Sequence, residues 1–337
     1  MRKYVSGKII VTITISYLLI SCHNKNTKLE TNLFPYKKIS AFKGNTFFSD
    51  SYSIKFHANK LYIPDFDNGN VWITDKDLNL LNSAGRYGEG PGEMTYCSKV
   101  DVSNKHIFAA DQGNRRINIY NINDGKYLTS FKCYYSGPSV DSRFAVSNDS
   151  IIYISTPNKI YSVDFTGKLI NEFELLTDSY WLKGEQVFGK RHILIYKEKY
   201  LVLVVENEPI VEIYSLSGMY INKFDLSKLE YLRNVLEYIS NGNRPTHSSY
   251  LILFSDSYLV GNSLYILYFD INKEGVKSNG SILNLEISKG NFILKNVFHL
   301  FNDKKVGWYD SFCVSDDKSK IYAFEGVSYE IQIFDVN

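Results

Sequence analysis

One short pattern recurs along this chain, and few folds can accommodate it. Val100-Asp101-Val102-Ser103-Asn104 leads to Ile107–Asp111, a turn, and Ile117–Tyr120. Phe144–Asn148 leads in the same way to Ile151–Ser155 and Ile160–Val163, and Phe312–Asp316 to Ile321–Phe324 and Ile331–Phe334. Another copy runs from Asn59 to Asp65 and on to Val71–Ile73, and two divergent copies occupy Ile193–Tyr214 and Tyr258–Leu285. A further apolar run follows tight turns in several copies: Asp124-Gly125 precedes Tyr127–Phe131, Thr166-Gly167 precedes Leu169–Phe173, and Ser217-Gly218 precedes Met219–Phe224. Such glycine pairs between apolar runs mark hairpins, because glycine takes φ > 0 without strain. Four short antiparallel strands repeated about every 45 residues describe a propeller blade. With six copies, the expected fold is all-β: a six-bladed β-propeller of four-stranded antiparallel blades.

The abundance of Tyr (27) and Phe (21) agrees, since aromatic side chains suit pleated, half-buried surfaces. The sixth copy reaches Asn337 on its third strand, so its fourth must come from elsewhere. Tyr36–Phe42 reads as that strand, an N-terminal strand closing the last blade. One helix interrupts the pattern. Ser227-Lys228-Leu229-Glu230 has capping-box spacing, and Leu229, Leu232, Val235, Leu236 and Ile239 recur at helical intervals before Asn241-Gly242 and Pro245. It falls between the fourth and fifth blades, as a plug over the ring, a lid or a partner-binding element.

An export signal precedes the ring. Arg2, Lys3 and Lys8 stand before an apolar run from Ile9 to Ile20, which ends at Ser21-Cys22. The run is shorter than the roughly 20 residues of a membrane span. It fits the charged head, apolar core and small-residue cleavage site of a signal peptide. Removing residues 1–21 takes away those three bases and no acid, turning the formal charge from +2 to −1. No basic footprint for nucleic acid remains. The expected organisation is a signal peptide (1–21), a polar tether (22–32) and the ring (33–337). Cys97, Cys133 and Cys313 are odd in number and form no Cys-x-x-Cys, so buried free thiols are expected.

A cysteine directly after the cleavage site resembles the lipobox of bacterial lipoproteins, which implies acylation of Cys22 and attachment to a membrane through lipid. Asp111-Gln112-Gly113-Asn114-Arg115-Arg116-Ile117 closely resembles the turn between second and third strands of NHL repeats. Gly85-Arg86-Tyr87-Gly88-Glu89-Gly90-Pro91-Gly92-Glu93-Met94 resembles their glycine-rich link between blades, and Asp65–Asn70 is a fainter copy of the turn. With the signal sequence, the chain resembles the six-bladed propeller lipoproteins of Bacteroides-type bacteria. The resemblance implies a fold and a compartment, the cell envelope, but no single activity. The stretch His23–Asn26 lacks the acidic cluster associated with surface export in such bacteria, which points to an outer-membrane protein facing the periplasm.

Residues with obvious chemistry are sparse. Gly85–Gly92 is no phosphate loop, because a strand rather than a helix N-terminus follows it. Arg86 and Tyr87 on that link combine a guanidinium fork with an aromatic face, which suits a carboxylate or a sugar; packing on a neighbouring blade is the competing role. Asp111 and Arg116 could take an anionic or sugar ligand at the channel mouth, or pair with each other within the turn. His57 lies in a first strand, where a propeller channel is lined, although a lone strand histidine is usually a satisfied core residue. No His-Glu-x-x-His and no Gly-x-Ser-x-Gly occurs. Trp72 should pack between blades, while Trp181 and Trp308, in links before first strands, are freer to stack on a ligand. The sequence thus favours an envelope-anchored scaffold binding a protein, a small molecule or a glycan at one face, with no cofactor required. The competing class is a metal-dependent NHL-like lyase or hydrolase at the channel mouth. That would need a channel-bound divalent cation and three or more converging His, Asp or Glu side chains.

Overall fold

The computed structural model describes residues 29–42, 46–133, 143–176, 190–243, 252–272 and 274–336. The signal peptide, Cys22, Trp181 and His247 lie outside them. Six blades of four antiparallel strands form a ring, a six-bladed β-propeller, and two further short strands extend the sheet of blade five. The first strands of the blades are Lys55–His57, Cys97–Val102, Phe144–Val146, Arg191–Tyr196, Phe254–Val260 and Tyr309–Val314. Each touches the next around the ring, and the last touches the first. One face of the ring, here the upper, carries the turns between second and third strands and the links between blades. The lower face carries the other hairpin turns.

The N-terminal segment closes the ring. Pro35–Ile39 pairs antiparallel with Glu330–Asp335 and is the fourth strand of blade six. It stops short of the expected Phe42, because Ala41–Phe42 turns away to pair with Thr46–Phe47. Just before it, Glu30–Leu33 lies parallel to Asn291–Asn302, the outer strand of blade five. This strand starts inside the stretch expected to be tether. Its polar sequence conceals it: Leu33 alone is buried, while Thr31 and Asn296 exchange side-chain hydrogen bonds. One segment therefore grips two blades. A continuous apolar cluster around the closure, including Leu33, Phe42, Phe56, Tyr258, Phe312 and Ile331, joins blades five, six and one. Each such side chain stabilises the closure by roughly 1.5–3 kcal/mol through burial.

Neighbouring blades also meet through their hairpins. Gly167 and Gly218 have φ of +84° and +95°, and a Cβ on either would fall 2.6 or 2.4 Å from the ring of Phe131 or Phe173 on the preceding blade. Glycine is thus required twice over, by the turn and by the blade it touches.

At the axis, every blade is bonded to the next through a first-strand or adjacent side chain. Val100 N donates to Ser53 Oγ (3.0 Å), Val146 N to Asp101 Oδ2 (2.8 Å), and Phe312 N to Asp256 Oδ2 (3.1 Å). Ser311 Oγ donates to Ser51 O (2.7 Å), closing the circle from blade six to blade one. Between blades three and four, Arg143 Nη1 lies 3.1 Å from His192 Nδ1, and His192 Nε2 reaches Phe254 O of blade five at 3.0 Å. Because arginine can only donate, Nδ1 accepts and Nε2 carries the proton. His192 is therefore neutral; burial, then Arg143 and Lys99, hold it well below the usual imidazole range.

The helix is shorter than its pattern suggests. A 3₁₀ turn, Glu230–Leu232, leads into an α-helix, Arg233–Ser240, and no side chain caps either. Ser227 does not act as the cap; its amide donates to Asp225 Oδ1 (2.8 Å), fixing the exit from blade four instead. Leu232, Val235 and Leu236 are buried, and Asn234 Nδ2 donates to Ile271 O (3.2 Å), so the helix leans on the second strand of blade five.

Asp101 is heavily used at the axis: it accepts from Val102 N and Val146 N and pairs with Lys55 at 2.8 Å. Asp101→Ala should lower unfolding free energy by roughly 2–4 kcal/mol, since it strands a buried amide and an ammonium. Urea denaturation checks this, and a loss below about 0.5 kcal/mol would show that the axial bonds do not hold the ring.

Candidate functional site

Acidic residues ending the second strands build the upper face. Asp65 accepts from Asn68 Nδ2 (2.9 Å) and Trp72 Nε1 (2.8 Å), and Glu325 accepts from the amides of Val327 (3.0 Å) and Ser328 (2.6 Å). Asp111 does the same in blade two, accepting from Asn114 Nδ2 (2.7 Å), Thr95 N (3.1 Å) and Arg116 Nε (3.0 Å). Arg116 Nη2 continues to the carbonyls of Gly90 and Glu93, both at 2.7 Å. Asn118 and Tyr120 add bonds to Glu93 O and Gly92 O. Asp111, with no exposed surface, and Arg116 thus clamp the glycine-rich link to its blade.

That clamp displays Arg86 and Tyr87. The Tyr87 residue is 61% exposed, and the Arg86 side chain, 80% exposed, is held through Nη2 2.6 Å from Glu93 Oε1. The Gly90 amide and then Arg86 keep the Glu93 carboxyl below its ordinary range. Beside them is an aromatic ladder that the sequence did not reveal. Phe66 stacks on Tyr96 with centroids 4.8 Å apart, and Tyr52 meets Phe66 edge-on at 5.3 Å. Tyr52 and Tyr96 are 42% and 41% exposed. Their signal was present, as three aromatic residues outside strands, but only the ring brings them together. Tyr52 also donates to Asp50 Oδ2 (3.1 Å). Asp310 lies in the same acidic neighbourhood, its carboxyl pushed up to about 7 by burial, then by Asp50 and Glu325.

The tryptophans separate. Trp72 packs against Phe42 at 5.4 Å as expected. Trp308, expected to be free for a ligand, instead lies 5.9 Å from Phe269, its backbone bridged to Asn279. The long hairpin of blade five, Lys277–Asn302, captures the link that the sequence left exposed.

The channel contains a cavity of about 210 Å³, lined among others by Lys55, His57, Lys99, Asp101, Glu198 and Asp256. His57 is half-buried there; burial, then the neighbouring Lys55, lower its imidazole from the usual range. Among the described residues no three His, Cys, Asp or Glu side chains are placed to hold a metal ion. Cys97, Cys133 and Cys313 are all buried free thiols. Asp256 is pushed up by burial although Lys99 and Arg143 oppose this. Burial, followed by the nearby Arg143, pushes the Lys99 ammonium down to about 8.

A family model described as a 6-bladed beta-propeller matches residues 43–155, about a third of the chain. No curated protein matches the sequence. Among solved structures, the chain is similar to the WD40 repeats of RRP9, at 10% identity and a TM-score of 0.54, covering 89% of this chain and 100% of that one. It is similar to U3-55K at 10% identity and a TM-score of 0.53, with 86% and 96% covered. A putative exported protein of Bacteroides fragilis NCTC 9343 is 14% identical with a TM-score of 0.52, covering 88% of this chain and 87% of that one. At such identities these likenesses bear on the fold alone.

Lys99 gives a pH test of the channel. Its folded-state value lies below that of an unfolded lysine, so below pH 8 the charged ammonium opposes folding, and the penalty fades as pH rises from about 8 to 10.5. Lys99→Met should therefore be more stable than the parent at pH 7 by roughly 1–3 kcal/mol. The difference should narrow towards pH 10, as read by denaturation at both pH values. A less stable variant at pH 7 would contradict this.

Proposed function

We propose that this chain is an envelope lipoprotein, anchored through acylated Cys22, whose propeller binds a partner or ligand on its upper face. The observation that carries this reading is the aromatic ladder Tyr52–Phe66–Tyr96, partly exposed on links and turns close to Tyr87. Aromatic side chains with exposed faces and polar tips dominate recognition surfaces, because they offer large contact area with few torsions to freeze. Loops fixed on a rigid scaffold are the usual place for such surfaces, and here the Asp111–Arg116 clamp fixes the glycine-rich link that carries Arg86 and Tyr87. The short tether after Cys22 would keep the ring close to the membrane. The lipobox, the likeness to an exported Bacteroides fragilis protein and the polar N-terminal stretch support a location in the envelope.

Two measurements test the reading. Cys22→Ser should abolish incorporation of labelled fatty acid and release the protein from membranes; unchanged labelling excludes anchoring at Cys22. A photo-crosslinking amino acid at Tyr87 or Tyr96 should give discrete adducts in intact cells, while the same group at Phe165, exposed on the lower face, should give none. Equal adducts at all three positions would remove the upper face as the binding surface.

A further inference from the structure

The channel cavity has an imbalance of donors and acceptors that the upper face does not account for. Each acid on its wall is already engaged. Asp101 pairs with Lys55 and accepts two backbone amides, Asp256 accepts the amides of Ser257 (2.8 Å) and Phe312 (3.1 Å), and Glu198 accepts Asn148 N (3.1 Å). Lys99 is different. It lines the cavity, and among the described residues no hydrogen bond or ion pair engages its ammonium, although Asp256 and Asp101 stand near enough to favour its charge. Ser257, only 6% exposed on the same wall, has a hydroxyl without a partner. Unpaired donors in a secluded site call for an acceptor, and an ammonium calls for an anion.

We propose that this cavity is a binding site for a small monocarboxylate with an apolar body, its carboxylate held by Lys99. The size fits: a cavity of about 150 Å³ takes benzene, and this one is about 210 Å³. Val100, Phe144, Ile195, Leu259 and Phe312 give the wall apolar stretches between the polar Ser53, His57 and Asn148. A single negative charge is favoured over two, because Asp101 and Asp256 stand on the same wall and would repel a second. A bound carboxylate would also relieve the lysine of its crowding by Arg143, so that the ammonium becomes harder to deprotonate. The site shares no residue with the upper face and stands or falls independently of it.

Benzoate, benzyl alcohol and inorganic phosphate, titrated into the purified protein by calorimetry, test the assignment. Benzoate should bind saturably, at least tenfold more tightly than benzyl alcohol, and Lys99→Met should remove that preference. In parallel, NMR titration of the lysine side chains should show the Lys99 midpoint moving upward when benzoate is present. Because the variant relieves a charge penalty, its folding is not in jeopardy, and circular dichroism confirms it. Absence of saturable benzoate binding, an unchanged affinity in Lys99→Met, or binding of phosphate in place of benzoate would each overturn the proposal.

Discussion

A ring of sheets is stable only if its first and last members are joined, and every other feature of this protein rests on that closure. An open propeller would leave the apolar flanks of blades six and one in water and the outer edge of Glu330–Asp335 unpaired, a template for aggregation. Pro35–Ile39 covers that edge, and Glu30–Leu33 ties the same segment to blade five. Opening the ring would therefore require breaking two sets of strand pairing and a shared apolar cluster together. Cooperative resistance of this kind follows from joining distant parts of the chain, rather than from any one strong contact.

Closure at the rim leaves the axis to be filled. Six first strands converge there, and a purely apolar centre would not fix which strand faces which. The chain instead places Ser53, Asp101, Arg143, His192, Asp256 and Ser311 where each bonds to a neighbouring blade. Burying carboxylates costs free energy unless amides and cations surround them. Asp101 meets that condition fully, with Lys55 and two amides. Asp256 has two amides, with Lys99 and Arg143 nearby, and burial still holds its carboxyl above the usual range. Lys99 has Asp256 and Asp101 nearby but no hydrogen bond or ion pair among the described residues. The same polar centre that sets blade register thus leaves one cation in a cavity without a hydrogen-bond partner among the described residues.

The sequence disclosed most of the architecture because hairpin chemistry is local. Asp124-Gly125, Thr166-Gly167 and Ser217-Gly218 announce turns within a few residues, and the alternating runs around them announce strands. The closing strand was legible by subtraction, since blade six lacked a partner. Glu30–Leu33 was not legible, because a parallel strand with a single buried apolar side chain carries little periodicity. The helix starts later than its pattern suggests for a related reason: Ser227 and Glu230 have capping-box spacing, but Asp225 supplies a nearer acceptor for the Ser227 amide.

Function was harder to read because it depends on residues that are neighbours only in the ring. Arg86 and Tyr87 could be picked out on a conspicuous link, yet Tyr52, Phe66 and Tyr96 become one surface only when blades one and two lie side by side. Asp111 and Arg116 drew attention for the right chemistry, a carboxylate and a guanidinium five residues apart, and that chemistry is directed inward at the link. Lys99 drew none, since a lysine in a strand is ordinarily a solvated one. Its position in the first strand of blade two turns it towards the axis, where Asp101, two residues on along the same strand, is already committed to Lys55. The alternation of a β-strand, which places every second residue on the same side, puts a satisfied acid and a base without a hydrogen-bond partner on the same channel wall. That adjacency follows from register alone, and it is what makes a mostly structural core chemically capable of holding a ligand.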